Sequence, residues 1–142
     1  MKIRAFETSD ETAVIQLWKE CGLTVPWNNP QLDIERKLAV GRDLFLVGIQ
    51  EDNVIASAMG GYEGHRGWVN YLAVSLEFQK HGCGAQMMAH LESLLIAKGC
   101  PKINLQVRSS NLGVIEFYKS LGYKIDDTVS LGKRLTDDSA SS

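Results

Sequence analysis

The stretch Gln79-Lys80-His81-Gly82-Cys83-Gly84-Ala85 decides how this chain is read. It follows Trp68-Val69-Asn70-Tyr71-Leu72-Ala73-Val74, a run with strand character. It precedes a segment carrying Met87, Met88, Leu91, Leu94 and Leu95 at helical spacing. A strand feeding a glycine turn that opens a helix makes an anion cradle. The first N–H groups of a helix have no intrahelical partner, and the macrodipole adds partial positive charge there. Gly82 and Gly84 carry no Cβ, so a phosphate can approach the backbone closely. Lys80, and His81 when protonated, add to the attraction. A glycine-rich turn that merely redirects the chain has the same short signature, so the surrounding sequence has to separate the two.

At 142 residues the chain has the length of one domain with a full core. Apolar residues make up 44% and charged residues 23%, the balance of a soluble globular protein, and the net charge of -2 argues against a nucleic-acid partner. No apolar run approaches a membrane span, and Met1-Lys2-Ile3-Arg4-Ala5-Phe6-Glu7 lacks the apolar stretch of a signal peptide. Cys21, Cys83 and Cys100 follow no metal-ligand spacing and read as reduced thiols of a cytoplasmic protein with no metal site. Cys83 reads as a small apolar residue turned toward the core where its helix begins.

Outward from the glycine loop, periodicity and turn chemistry assign the remaining elements. Ile3 to Glu7 alternates like a strand. Ser9 or Asp10 caps a helix with Ala13, Val14, Leu17, Trp18 and Cys21 on one side, stopped by Gly22. Val25-Pro26-Trp27-Asn28-Asn29-Pro30 is a loop, and Gln31 to Val40 a short helix. Leu44–Gln50 and Val54–Tyr62 are strands of a hairpin turning at Glu51-Asp52-Asn53, and Gly64-His65-Arg66-Gly67 turns into Trp68–Val74. After the glycine-loop helix come a strand over Lys102–Val107 and a helix from Asn111 to Leu121. Tyr123 to Leu135 is expected to form one or two final strands, and residues 136–142 a polar, frayed tail on a single domain of residues 1–135. Hairpins early and a strand-helix-strand crossover late predict a mixed α/β (α+β) fold, mostly antiparallel with one parallel pair.

Two phosphate sites can be tested against the loop. A P-loop needs Gly-Lys-Ser/Thr at the helix start, and here Gly84-Ala85-Gln86 stands there. A dinucleotide fingerprint needs an acidic residue ending the next strand, and Lys102 to Val107 contains none. A third pattern fits. Val74-x-x-x-Phe78-Gln79-x-x-Gly82-x-Gly84-Ala85 resembles motif A of the GNAT N-acetyltransferase superfamily. Downstream, Asn111-x-x-x-x-x-Phe117-Tyr118-x-x-x-Gly122-Tyr123 resembles its motif B. The stretch Gly60-Gly61-Tyr62-Glu63-Gly64-His65-Arg66-Gly67 is similar to the bacterial YpeA-like members.

The resemblance implies a GNAT fold with splayed strands opening an acetyl-CoA slot. It implies acetyl-CoA as co-substrate, its pyrophosphate on the backbone of Gln79, Lys80, His81, Gly82, Cys83, Gly84 and Ala85. Leu72, Ala73 and Val74 would pair with the pantetheine arm, and Asn111 would meet it or cap its helix. Tyr118 would protonate the departing thiolate. Some family members carry a glutamate on the strand before motif A, where this chain has Asn70 and Tyr71. Glu63 and His65 are the ionisable residues nearest in sequence and the candidates for the base. Pro26, Trp27 and Asn28 would wall the acceptor pocket. The implied activity is direct acetyl transfer to a primary amine of a small molecule or polypeptide, with a homodimer in keeping with family habit. A non-catalytic acyl-CoA-binding or sensing module is the alternative that the missing strand carboxylate leaves open.

Overall fold

The computed structural model describes residues 1–140. Five strands form one sheet in chain order: β1 (Lys2–Ala5), β2 (Phe45–Gln50), β3 (Asn53–Tyr62), β4 (Gly67–Val74) and β5 (Ile103–Leu105). The first four are antiparallel neighbours, while β4 and β5 run parallel, joined by the crossover helix α3 (Cys83–Ala97). This is the mixed sheet that the order of elements predicts. The β2–β3 register is set by a two-residue turn, Glu51-Asp52, with φ of 50° and 64° at its two positions. Left-handed backbone at both positions matches the twist of the strands it joins.

Helices α1 (Glu11–Glu20) and α2 (Pro30–Val40) cover one face of the sheet; α3 and α4 (Leu112–Ser120) cover the other. Alternation in β2 supplies both cores. Phe45 and Val47 pack with Phe6, Val14, Trp18 and Ile34, whereas Leu46 packs with Met87, Met88, Leu91 and Tyr118. Phe6 and Phe45 stack in parallel at 4.4 Å. Entry into α1 is fixed by Asp10, which accepts from the Glu7 N–H at 2.8 Å and from both Arg4 guanidinium nitrogens at 2.8 and 3.0 Å. Asn29 caps α2 by accepting from the Leu32 N–H at 3.1 Å, with Pro30 opening the helix.

Two expectations fail at the C-terminal end. Residues 123–135 form no strand. The alternation in Thr128-Val129-Ser130-Leu131 is strand-like, but this segment meets the β5 side of the sheet through side chains. Asp126 accepts from Lys102 and Asn104, and Gln106 donates to Ser130. Ile125, Val129, Leu131 and Leu135 consequently face solvent. The tail is also not free across its described part. Asp138 is buried and accepts both Arg36 guanidinium nitrogens at 2.8 and 2.9 Å. Ser141 and Ser142 lie outside the described residues.

Helix α3 packs tightly onto the sheet at Gly60, where a Cβ would stand 2.5 Å from Leu91 Cδ1 and 3.2 Å from the Leu44 carbonyl. Leu91 is fully buried and has little room to yield. Gly60→Ala is therefore expected to destabilise the fold by about 1–3 kcal/mol, read as a lower denaturation midpoint in urea.

Candidate active site

Pairing between β4 and β5 is confined to Gly67–Ile103, Trp68–Asn104 and Val69–Leu105. Beyond Val69 the strands part, and a cavity of about 770 Å³ opens between them. Its walls are Asn70 to Leu72 on β4, Leu105 to Arg108 on and after β5, Asn111 and Tyr118 of α4, and one face of α2. Asp33, Arg36, Lys37 and Val40 supply that face, at the i, i+3, i+4, i+7 positions of a helical stripe.

A bulge in β4 accompanies the opening. Ser57 pairs with Ala73 and Met59 with Asn70, so Tyr71 and Leu72 together oppose Ala58 alone. Tyr71 has a left-handed backbone, φ 53°, in a residue type that rarely adopts it. Three ties hold it. The buried Trp18 indole N–H donates to Ser57 Oγ at 2.8 Å, and that hydroxyl donates to the Tyr71 carbonyl at 2.8 Å. The Tyr71 ring stacks on Trp18 at 3.8 Å. Its phenol donates to Asp33 Oδ2 at 2.5 Å.

At the far end of β4, a turn of 3-10 helix (Leu76–Phe78) leads into the glycine loop. Gly82 stands at the N-cap of α3 with φ 82°, and no side chain caps the helix. The helical ladder begins with Gln86 N–H donating to the Gly82 carbonyl at 3.0 Å. The N–H groups of Cys83, Gly84 and Ala85 precede that bond, as the orphan donors of a helix start. A Cβ at Gly82 would meet nothing within 4 Å, whereas one at Gly84 would lie 3.0 Å from Phe117 Cζ. Gly84 thus lets α3 seat against α4. Lys80 and His81 are exposed beside the turn, Cys83 is buried in the core, and Gln79 Nε2 donates to the Val74 carbonyl at 2.9 Å. The Gln79 side chain ties the loop to the strand end and in this arrangement is not offered to a ligand.

Asn111 caps α4, accepting from the Val114 N–H at 3.3 Å, and also lines the cavity. The Tyr118 ring sits edge-on to Phe117 and Tyr123, and the residue is 8% exposed along the cavity wall. Burial pushes its phenol up to about 12. The Tyr118 carbonyl accepts from the Leu121 and Tyr123 N–H groups, while the phenol makes no hydrogen bond or ion pair among the described residues. It is a neutral donor facing the cavity.

Glu63 and His65 are not brought to this cavity. They occupy the exposed β3–β4 hairpin at the start of β4, whereas the strands part beyond Val69 and the glycine loop follows Val74. From Gly67 to Val74 the strand runs roughly 20 Å. The Glu63 carboxylate is moreover engaged locally, accepting from the backbone N–H groups of His65 and Arg66, which hold it below the usual carboxylate range. Strand polarity carried the signal that separates them: a hairpin before β4 and a loop after it lie at opposite ends of the sheet. Residues that the sequence reading missed are Asp33, Lys37, Gln106 and Arg108, which converge only in three dimensions. Trp27 lies beneath Arg108, whose guanidinium carbon is 5.5 Å from the ring centroid, and Asn28 lines the cavity.

The chain matches the model of the acetyltransferase (GNAT) family over residues 8–123. It is 49% identical over 138 residues to an acetyltransferase of Pectobacterium atrosepticum, covering 97% of this chain and 98% of that protein. Among solved structures, Ard1 from Thermoplasma volcanium superposes with a TM-score of 0.76 at 25% identity, over 88% of this chain and 83% of that one. The ribosomal-protein-S18-alanine N-acetyltransferase of Escherichia coli gives 0.68 at 25%, over 85% and 76%.

Two outcomes follow from the geometry. Ser57→Ala strands the buried Trp18 N–H and frees the Tyr71 carbonyl, and should destabilise the fold by about 1–3 kcal/mol in denaturant titration. Of the four tyrosines, Tyr71, Tyr118 and Tyr123 are all shifted upward, chiefly by burial, with Asp33 and Glu92 accepting from Tyr71 and Tyr123. These groups stabilise the fold below about pH 10, and that contribution is lost as pH rises through their folded-state values. Phenolate absorbance should therefore account for no more than one tyrosine until the fold itself yields to alkali.

Proposed function

The chain belongs to the GNAT acetyltransferase family, and we propose that it moves an acetyl group from acetyl-CoA to a primary amine in a ternary complex. The observation that carries the reading is the order of three features along and beside β4. They are an uncapped helix start preceded by a left-handed glycine, a strand edge released by its neighbour, and a neutral, unpartnered phenol. A pyrophosphate, an extended arm and a leaving thiolate ask for these features in that order. In this reading the amides from Gln79 to Ala85 receive the pyrophosphate. Leu72, Ala73 and Val74 offer backbone to the pantetheine arm as an added strand would, and Asn111 flanks it.

The amine attacks the acetyl carbonyl carbon, the carbon–sulfur bond breaks, and the thiolate takes the Tyr118 proton, which solvent then restores. An alkylamine with a pKa near 10.4 is about one part in a thousand neutral at pH 7.4. Deprotonation therefore accounts for about 4 kcal/mol of the barrier. Asp33 lines the cavity with one oxygen already accepting from the Tyr71 phenol, and a water on its other oxygen meets that demand better than Glu63 or His65, which do not line the cavity. The Escherichia coli neighbour, named for acetylating a ribosomal protein, is a precedent for a polypeptide acceptor. A small-molecule amine fits the same chemistry. A cytoplasmic enzyme is in keeping with the reduced thiols and with the lack, among the described residues, of a helix long and apolar enough to cross a membrane. A non-catalytic acyl-CoA sensor would need no protonated phenol on the cavity wall, which favours the enzyme.

Acetyl-CoA at a hundred times its dissociation constant should stabilise the protein by about 2.7 kcal/mol, seen as a raised melting temperature. Gly82→Val, which adds a branched side chain over the cradle, should weaken that binding at least tenfold; undiminished affinity removes the cradle from the account. Tyr118→Phe should lower thiol release at least tenfold with acetyl-CoA affinity nearly unchanged. Equal turnover, with the chemical step shown to be rate-limiting, would exclude the acid role.

A further inference from the structure

Most cations near the acceptor side of the cavity are already matched. Arg36 is held by Asp138 in a two-pronged ion pair, and Asp33 lies 3.7 Å from one of the two nitrogens that make it. Arg134 reaches Asp138 and also donates to the Trp27 carbonyl and Asn28. Asp33 itself is occupied by the Tyr71 phenol. Lys37 and Arg108 are different. Both line the cavity, and neither has a carboxylate within ion-pair distance among the described residues. Lys37 is half-buried with its ammonium near Gly61, where burial pulls its pKa down against the weaker attraction of Asp43, a carboxylate already ion-paired with Lys98 at 2.6 Å. Arg108 lies over the Trp27 face, which orients the guanidinium while leaving its donors free.

A half-buried ammonium without an acceptor is costly unless something arrives to pair with it. The chain as a whole is slightly acidic at net charge -2, so two uncommitted cations in one cavity are not a spill-over of general basicity. They are also not part of the pyrophosphate cradle, because no residue from Gln79 to Ala85 lines this cavity. Within the acetyl-transfer reading, on which this inference rests, α2 and the segment after β5 border the space left for the acceptor.

We propose that the acceptor carries an anionic group, a carboxylate or a phosphate, in addition to the reactive amine, and that Lys37 and Arg108 hold that group. Lys37 joins the cavity lining from α2 and Arg108 from the β5–α4 connection, so a ligand held by both ties two separate elements together on the acceptor side. Arg108 supplies a planar fork suited to carboxylate or phosphate; Lys37 supplies a point charge.

The test uses straight-chain primary amines of equal length ending in a carboxylate, a phosphate or a hydroxyl. Each is measured with the full-length protein twice: by calorimetric binding in the presence of CoA, and by thiol release from acetyl-CoA. At least one anion-ended series should bind ten times or more tighter than its hydroxyl counterpart, and which series does so separates carboxylate from phosphate. Lys37→Met and Arg108→Gln should each cut that ratio at least fivefold, with acetyl-CoA affinity equal to wild type. The proposal is overturned if the hydroxyl-ended amines bind as well, if no anion-ended amine binds at 10 mM, or if the preference survives both substitutions. Acetyl transfer without anion preference sinks this inference and keeps the enzyme; anion binding that depends on Lys37 and Arg108 but is never followed by transfer sinks the acetyl-transfer reading and, with it, the assignment of the bound amine as acceptor.

Discussion

The left-handed backbone at Tyr71 is the constraint from which the rest of the site follows. Such a conformation costs about 1–3 kcal/mol in a residue with a side chain. Here it is over-determined by a ring stack, a carbonyl held through Ser57 and a phenol held by Asp33. With one residue too many against β3, β4 bends, and β5 keeps only three paired positions beside it. The edge of β4 that would otherwise be consumed by the sheet is left open to the cavity. Trp18 and Ser57 never reach that cavity, yet they hold the geometry that makes it.

The same logic links the two faces of the sheet. Tyr71 sends its ring toward α1 and its hydroxyl to α2, while its backbone borders the space used by α4. On the opposite face, Gly84 lets Phe117 pack against the start of α3, which sets Tyr118 beside the cleft one residue further along α4. The α2 wall of the cavity, the glycine-loop start of α3 and the Tyr118 phenol are therefore coupled through two close contacts rather than placed independently.

Much of this was legible in the chain. Periodicity and turn residues located the four α-helices and the five strands, because those signals are local. The glycine loop and the Asn111…Phe117-Tyr118 run gave the family, because their spacing is tied to one strand-turn-helix geometry. The bulge was not legible: Asn70-Tyr71-Leu72 contains no glycine, and its left-handed residue is stabilised by Trp18, Ser57 and Asp33, all distant in sequence. Asp33 and Lys37 read as the solvated side of a short helix, and only the parting of β4 and β5 turns that side into a wall. Glu63 and His65 looked close because they precede β4 in sequence, whereas the direction of the strand carries them away. Residues 123–135 are expected to add a strand, and Thr128-Val129-Ser130-Leu131 has its alternation, but the polar side chains of the segment are what meet the β5 side of the sheet.

The Arg36–Asp138 pair spans 102 positions in the chain. Contacts of such separation cannot form early, since the intervening segment must first be made and its loop entropy overcome. During synthesis, the sheet, α3 and the glycine loop are all available to fold before residue 138 exists. The sheet with α3 and its glycine loop can thus be assembled while the α2 wall of the cavity still lacks its last tie, giving a temporal order to two parts of one fold.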